Sequence, residues 1–338
     1  TGLSETYLEQ CDRWGLRVLV LPSLWKRFYV LKPSRQLFKE VVASADVVNL
    51  MNHWTLINAL TYRTVKELAK PYTVCPAGAL TIFGRSSVLK KLYNHLIGRE
   101  IIRRANGHIA ISQNEIDQFG SYGVPPDRIT VIPNGINPDD FSKTDETKFR
   151  ERLGIGDAPF ILFLGRLNII KGPDLLLEAF CRCSQDEHMK SYHLVFAGPD
   201  GGLLRQLQQT AEAANVKDRV HFPGHIGGPE KFAACRRAHF LAIPSRREAM
   251  SIVVLEAGIS RTPVLITEQC GFDDVARVAG GMVVAASVEG LQKGLRAMTS
   301  DPARLQMMGQ NLEQLTRDRF LWEHIADRYL ELFLRITQ

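Results

Sequence analysis

Long apolar runs are missing from this 338-residue sequence: they stop after a few residues, as at Ile252–Leu255, whereas a bilayer-spanning helix needs ~20. The six cysteines (Cys11, Cys75, Cys181, Cys183, Cys235 and Cys270) include no CxxC pair and no His partner at zinc spacing. Neither a metal knuckle nor a disulfide framework is expected, and the thiols should stay reduced. The opening residues Thr1–Glu9 are polar and lack the basic start of a secretory leader, which points to a cytoplasmic protein. Absent too is GxGxxG, which removes the main support for a dinucleotide-binding dehydrogenase. GxxxxGK[ST] and GxSxG are also missing, so neither a P-loop nor a nucleophile elbow is present. No two aspartates are separated by one residue, so there is no Asp-x-Asp clamp to carry a metal–diphosphate. Any diphosphate would have to be neutralised by Arg, Lys or helix N-termini.

What is present is ordinary globular material, 45% hydrophobic and 23% charged, with 26 Gly and 16 Pro. At ~150 residues per domain the length predicts two domains with a core that needs no staples. A net charge of +6 permits an anionic partner without choosing one. Short β-branched runs alternate with helical stretches, the signature of parallel α/β sheets. Leu16–Pro22, Asp46–Met51, Pro71–Pro76, Gly107–Ile111 and Arg128–Ile132 read as strands. Arg35–Ala45, Thr55–Leu68, Val88–Ala105 and Gln113–Tyr122 read as the helices between them. A turn at Pro133-Asn134-Gly135 closes the series, and a polar stretch, Asn137–Lys148, follows as a linker. A second series then runs through Phe160–Leu164, His193–Ala197, Val220–Pro223, Phe240–Pro244, Val264–Ile266 and Met282–Ala285, ending in a helix over Leu321–Ile336. The expectation is two doubly wound, Rossmann-like domains facing a cleft: residues 1–138, a linker at 139–150, residues 151–318, and a tail at 319–338.

The chemistry concentrates in Ile243–Ile259. Glu248 follows a Pro244-Ser245 break after a strand, and Glu256 lies eight residues on, inside an apolar helix. Burying such a carboxylate without partners costs several kcal/mol. Glu256 therefore either points outward or pairs with an Arg, or it accepts hydrogen bonds from ligand hydroxyls, while amides near Met250, Ser251 and Ile252 form a cradle at the helix start. If the whole segment were helical the carboxylates would sit ~12 Å apart, beyond the roughly 5–5.5 Å of a retaining glycosidase pair. Two carboxylates gripping one long ligand fits better. After the first strand of the second half comes Gly165-Arg166-Leu167-Asn168-Ile169-Ile170-Lys171-Gly172. There Gly165 admits a ligand to the backbone, and two cations can hold a diphosphate and stabilise it as a leaving group.

These runs, G-R-L-N-I-I-K-G, H-L-V-F-A-G, V-H-F-P-G-H-I and P-S-R-R-E-A-M-S-I-V-V-L-E-A-G, resemble the retaining GT-B glycosyltransferases of family 4. The spacing from Glu248 to Glu256 matches that family's E-x7-E, and V-I-P-N-G-I-N-P-D-D-F in the first half is similar to theirs. The resemblance implies a GT-B fold and a metal-independent, retaining transfer without a cofactor. The donor would be a UDP- or GDP-linked sugar. The acceptor would be a saccharide or lipid-linked molecule in cell-surface polysaccharide synthesis, with no nucleic acid partner. It further implies that Arg166 and Lys171 bind the donor diphosphate, that Gly165 lets it approach, and that Glu248 meets the sugar hydroxyls. Met250, Ser251 and Ile252 would donate backbone hydrogen bonds, Glu256 would hold the ribose, and the backbone near Ile226 would meet the base. The leaving diphosphate would help deprotonate the acceptor on the same face, and the last helix would cross back to the first domain.

Two departures from the family pattern stand out. The expected opening strand and Gly-rich loop do not precede Thr1–Pro22, so the N-terminal domain reads as lacking one or two βα units. Where the family carries a P-H-G turn, this chain has Pro76-Ala77-Gly78, leaving His53 as a weak substitute on the acceptor side. The stretch Phe83–Ala105 carries Arg85, Lys90, Lys91, Arg99, Arg103 and Arg104 against one acid, Glu100. Residues 85–104 read either as peripheral contact with the inner face of an anionic membrane or as a core helix with a solvated face. Two rival functions stay open. One is a non-catalytic, truncated transferase that binds nucleotide sugar or completes a partner. The other is a sugar-nucleotide epimerase of similar fold.

Overall fold

The alternation of apolar runs and amphipathic stretches produces two open α/β sheets in the computed structural model, which describes residues 5–21, 23–25, 30–31, 34–82, 86–141 and 146–338. The chain divides into two compact units. The first takes the residues up to Ile109 together with Gln118–Ile129 and Phe333–Gln338, and the second takes Ala110–Asp117 and Thr130–Leu332.

A short antiparallel pair, β1 (Ser23–Trp25) with β2 (Val30–Leu31), precedes a four-stranded sheet that lies mostly in the first unit, with the end of its third strand and most of its fourth assigned to the second. Its strands are β3 (Val48–Met51), β4 (Tyr72–Cys75), β5 (Gly107–Ala110) and β6 (Ile129–Val131), in that spatial order. β3 pairs parallel with β4, and β4 with β5. Thr55 starts the helix Leu56–Glu67 by accepting a 3.3 Å hydrogen bond from the Asn58 amide, a cap worth about 1 kcal/mol.

The expected strand at Leu16–Pro22 is a correction. Residues 16–21 form no ladder, and Pro22 lies outside the described residues. A short apolar run makes a strand only where a neighbour supplies hydrogen bonds. Here Leu16, Val18, Leu19 and Val20 stay exposed, while Leu19 and Leu21 border an apolar cavity of about 350 Å³ with Phe38, Val42 and Ile57. The helix expected at Val88–Ala105 is composite: α-helical at Ser87–Tyr93, a π turn at Asn94–Gly98, and α-helical again at Arg99–Arg103. Of the expected linker, Pro138–Phe141 is a 3-10 turn, residues 142–145 lie outside the described ones, and Glu146–Leu153 is already helix.

The second unit holds β7 (Phe160–Leu164), β8 (His193–Ala197), β9 (Val220–Gly224), β10 (Phe240–Ile243), β11 (Val264–Thr267) and β12 (Gly281–Val284). All neighbours pair parallel, in the order β12-β11-β10-β7-β8-β9. Counted from β7 as first, this is the doubly wound order 3-2-1-4-5-6. Both faces of the sheet are covered, so its central strands read as unbroken apolar runs. Phe163, Leu176, Phe180, Phe196, Leu265 and Leu291 belong to one buried cluster. Ser287 and Asp301 cap the helices Val288–Thr299 and Pro302–Arg319. Every cysteine but Cys181 is buried, and burial pushes the thiols of Cys183 and Cys270 up to about 11.

Candidate active site

In a doubly wound sheet the strand order reverses between the first and fourth strands, and the loops beyond their carboxyl ends diverge to leave a crevice. Here those strands are β7 and β10. Their outgoing loops are Gly165–Gly172 and Pro244–Ser251, the two segments the sequence singles out.

The loops are held together by backbone contact and one clamp. Gly172 has φ +68°, and a Cβ there would stand 2.1 Å from the Pro244 carbonyl oxygen, so only glycine fits. Arg246 donates to both carboxylate oxygens of Asp174 at 2.8 and 2.6 Å and to the Ile169 carbonyl at 2.7 Å. Its own amide bonds the Ile170 carbonyl at 2.8 Å. The Asp174 carboxylate raises the Arg246 pKa further, so the clamp is permanently charged.

Within this frame the ammonium of Lys171 forms an ion pair with Glu248 Oε1, and the Ser245 hydroxyl donates to Glu248 Oε2 at 2.9 Å. The Glu248 amide donates to the Gln269 carbonyl at 2.8 Å, which fixes the turn. Arg166 is exposed and has no partner among the described residues. The space above Gly165 is open, since a Cβ there would meet only Phe163 at 3.6 Å and Lys171 at 4.0 Å.

Glu248 belongs to the loop, because the helix begins at Ile252 and runs to Ile259. A separation based on one continuous helix therefore does not apply. Of the three expected backbone donors, the Ser251 amide is already bound to the Cys270 carbonyl at 3.2 Å. Ile252, as the first helical residue, has no carbonyl four residues back within the helix to bond, so its amide is available to a ligand. Met250 is buried, and its sulfur accepts from the Asn134 amide at 3.3 Å. Glu256 Oε1 is bound by Lys231 at 2.7 Å, a pairing of the kind weighed from the sequence but made through Lys rather than Arg. Glu256 Oε2 has no partner among the described residues and can accept from a ligand. Ile226 is buried beside the exposed His225, just after β9.

Sequence reading missed Lys231, Ser245 and the Arg246–Asp174 clamp. It also missed the Gly198–Leu204 loop, where Asp200 accepts from the amides of Gly202, Leu203 and Leu204 at 2.7–3.2 Å. The signal for that loop was legible as G-P-D-G-G directly after a strand.

His53, Ala77 and Gly78 belong to the first unit. Ala77 and Gly78 form a left-handed turn after β4, with φ +50° and +82°. His53 is 1% exposed. Its Nε2 lies 2.9 Å from Asn94 Oδ1, and its ring is surrounded by those of Trp54, Tyr93 and Tyr122 at 4.4–5.5 Å. Asn94 in turn donates to the Tyr122 hydroxyl at 2.7 Å. This is a packed network, and burial pushes the His53 pKa down to about 4 despite the opposing Asn94 bond.

A lowered folded pKa favours the neutral ring, so the stability it contributes is present above the unfolded value of 6.5 and is lost as pH falls toward 4. Urea unfolding should show His53→Gln escaping about 2 kcal/mol of the loss that the parent suffers between pH 8 and pH 5. Identical pH slopes for the two proteins would mean that the ring is not held neutral by burial.

Among the described residues, no three His, Cys, Asp or Glu side chains converge to hold a metal ion, and no helix is long and apolar enough to cross a membrane.

Comparison with known proteins gives a consistent picture. Residues 145–315 match the model for glycosyl transferases group 1, and residues 6–140 match that for glycosyltransferase family 4. A D-inositol 3-phosphate glycosyltransferase of Xylanimonas cellulosilytica is 30% identical over 258 residues, 72% of this chain and 60% of that one. Its namesake from Geodermatophilus obscurus is 32% identical over 246 residues, 69% of this chain and 53% of the other. The chain thus spans somewhat more than half the length of these relatives. Among solved structures, HepE of Anabaena in complex with UDP-glucose superposes with a TM-score of 0.77 at 18% identity, over 97% of this chain and 89% of that one. Sucrose-phosphate synthase of Thermosynechococcus elongatus gives 0.74 at 19% identity, over 89% and 77%. At these identities the likeness is one of fold: two open, parallel α/β sheets of GT-B type.

Proposed function

The chain belongs to the glycosyl transferases group 1 family, and on that premise we propose that it is a retaining, metal-independent glycosyltransferase acting in the cytoplasm. It moves a sugar from a UDP- or GDP-linked donor to a saccharide or lipid-linked acceptor in cell-surface polysaccharide synthesis. One observation carries the reading. Glu248 and Lys171, 77 residues apart in sequence, meet as an ion pair at the switch point, on loops that also offer the unpaired Arg166 and the amide of Ile252.

The chemistry follows from these groups. Arg166 and Lys171 neutralise the donor diphosphate and stabilise it as it leaves, the task a metal ion performs elsewhere. Glu248 and the helix-start amides orient the sugar, and Glu256 Oε2 accepts from the ribose hydroxyls. The bond from the anomeric carbon to the phosphate oxygen breaks as the acceptor oxygen bonds to that carbon on the same face. The acceptor proton passes to the departing phosphate, so no second close carboxylate is needed. The UDP-glucose bound by HepE and the activity named for the curated relatives support a nucleotide-sugar donor, with uridine the first base to test.

The test is the thermal midpoint with saturating UDP, GDP or ADP in the absence of added metal. A nucleotide at ~100 times its Kd adds about 2.7 kcal/mol of stability. A shift with UDP or GDP that disappears in Glu256→Ala is the expected result. If no nucleotide shifts the midpoint, the donor site is not functional. A shift without turnover favours a non-catalytic, nucleotide-sugar-binding protein.

A further inference from the structure

The composite helix Ser87–Arg103 faces the interior of its unit with Asn94, Gly98, Ile101 and Ile102, all buried. Its outward face is unusual. Val88, Leu89, Leu92 and Leu96 stand 75, 51, 50 and 69% exposed. The stretch therefore has a buried inner face, and its solvated outer face is aliphatic as well as charged. Alongside them, at intervals of four, run Lys91, His95, Arg99 and Arg103, which border an open depression of about 760 Å³ together with Arg104. The one acid nearby, Glu100, is taken up by Lys66 at 3.0 Å and Arg104 at 3.2 Å, so it does not offset the row.

The π turn explains how two rows can stay parallel. In an α-helix of 3.6 residues per turn, a row at every fourth residue drifts around the axis. The wider turn at Asn94–Gly98, bonded i→i+5, absorbs part of that drift. A wider turn reduces the angular spread among Val88, Leu92 and Leu96, and among Lys91, His95 and Arg99. The bend is fixed from inside, because Asn94 is held by His53 and Tyr122, and a Cβ at Gly98 would strike Asn94 Oδ1 at 2.5 Å.

We propose that this face docks on an anionic lipid bilayer, with the aliphatic row entering the acyl boundary and the cationic row meeting lipid phosphates. A bilayer surface is apolar at one depth and negatively charged at the next, which is the pattern an aliphatic row beside a cationic row complements. Docking is peripheral and is independent of the transfer reaction.

Cosedimentation of the full chain with vesicles of phosphatidylcholine, with and without phosphatidylglycerol, tests the proposal at low and high salt. Binding to the anionic vesicles that weakens with salt is expected. Lys91→Ala combined with Arg99→Ala should lower partitioning ~25-fold, at ~5-fold per cation removed. Leu92→Asn combined with Leu96→Asn should abolish it. All four side chains are solvent-exposed, so the leucine variant should melt at the parent's temperature, and the cation variant, which gives up the Arg99 contact over the Tyr122 ring at 5.7 Å, close to it. Failure to bind, equal binding to neutral vesicles, or unchanged partitioning in the variants overturns the proposal. So does self-association that is lost in the leucine variant without any vesicle binding, which would assign the row to a second copy of the chain.

Discussion

Glu248→Gln is expected to lower the rate of nucleotide diphosphate release from the donor by about 10²–10³-fold, the scale of losing one preorganised electrostatic group. The nucleotide-induced thermal shift should persist. Glutamine keeps the shape and can still bond Ser245, but it removes the charge that Lys171 now faces. The freed ammonium can turn to the diphosphate, so nucleotide affinity should hold or rise while sugar orientation fails. Lys171→Ala should do the reverse, weakening nucleotide binding. Because the two side chains touch, the double variant should depart from additivity by roughly 0.5–3 kcal/mol. If Glu248→Gln only lowered the melting temperature and left turnover intact, the pair would be a structural brace and the catalytic assignment would fall.

Gly172→Ala carries the second large effect, this time on stability. Two costs combine. An L-residue at φ +68° pays about 1–2 kcal/mol. The added Cβ also meets a backbone carbonyl at 2.1 Å, which can yield only if β10's loop moves off β7's. A loss of at least about 3 kcal/mol is expected by urea unfolding, together with loss of the nucleotide shift. Gly154→Ala is the control, because Gly154 has φ +65° and nothing within 4 Å of the added carbon. It should lose only the backbone cost of about 1–2 kcal/mol. Equal losses at the two sites would mean that the close approach of the two loops is not what makes Gly172 necessary.

Most of the strands were legible because a doubly wound sheet buries its central strands on both faces, which writes them as short β-branched runs such as Phe160–Leu164 and Val264–Thr267. Leu16–Pro22 shows the limit of that signal, since a short aliphatic run does not say whether a neighbouring backbone will pair with it. At the site, Arg166, Lys171, Glu248 and Glu256 could be picked out because a charge stood where the surrounding pattern was apolar or glycine-bounded. Their partners could not. Lys231 reaches Glu256 across 25 residues and Arg246 reaches Asp174 across 72, and nothing local marks either pair. His53 stood at a strand end, a position where ligands are often met. Its burial among Trp54, Tyr93 and Tyr122 depends on a residue 69 positions later and on a π turn that has no sequence signature.

The placement of β7 has a kinetic side. It is the first strand of its unit to be synthesised, yet it lies at the centre, with β8 following at once and β10 arriving only after β9 is complete. A nascent chain that has reached Gly224 can zip β7, β8 and β9 into a ladder and present Arg166 and Lys171, but the segment that supplies Glu248 does not yet exist. Closing the β7–β10 pair spans a longer loop than either preceding step and comes late on entropic grounds. The Lys171–Glu248 ion pair and the most distant pairing of the central strand are therefore one event. A half-made unit is a cationic surface without its counter-carboxylate.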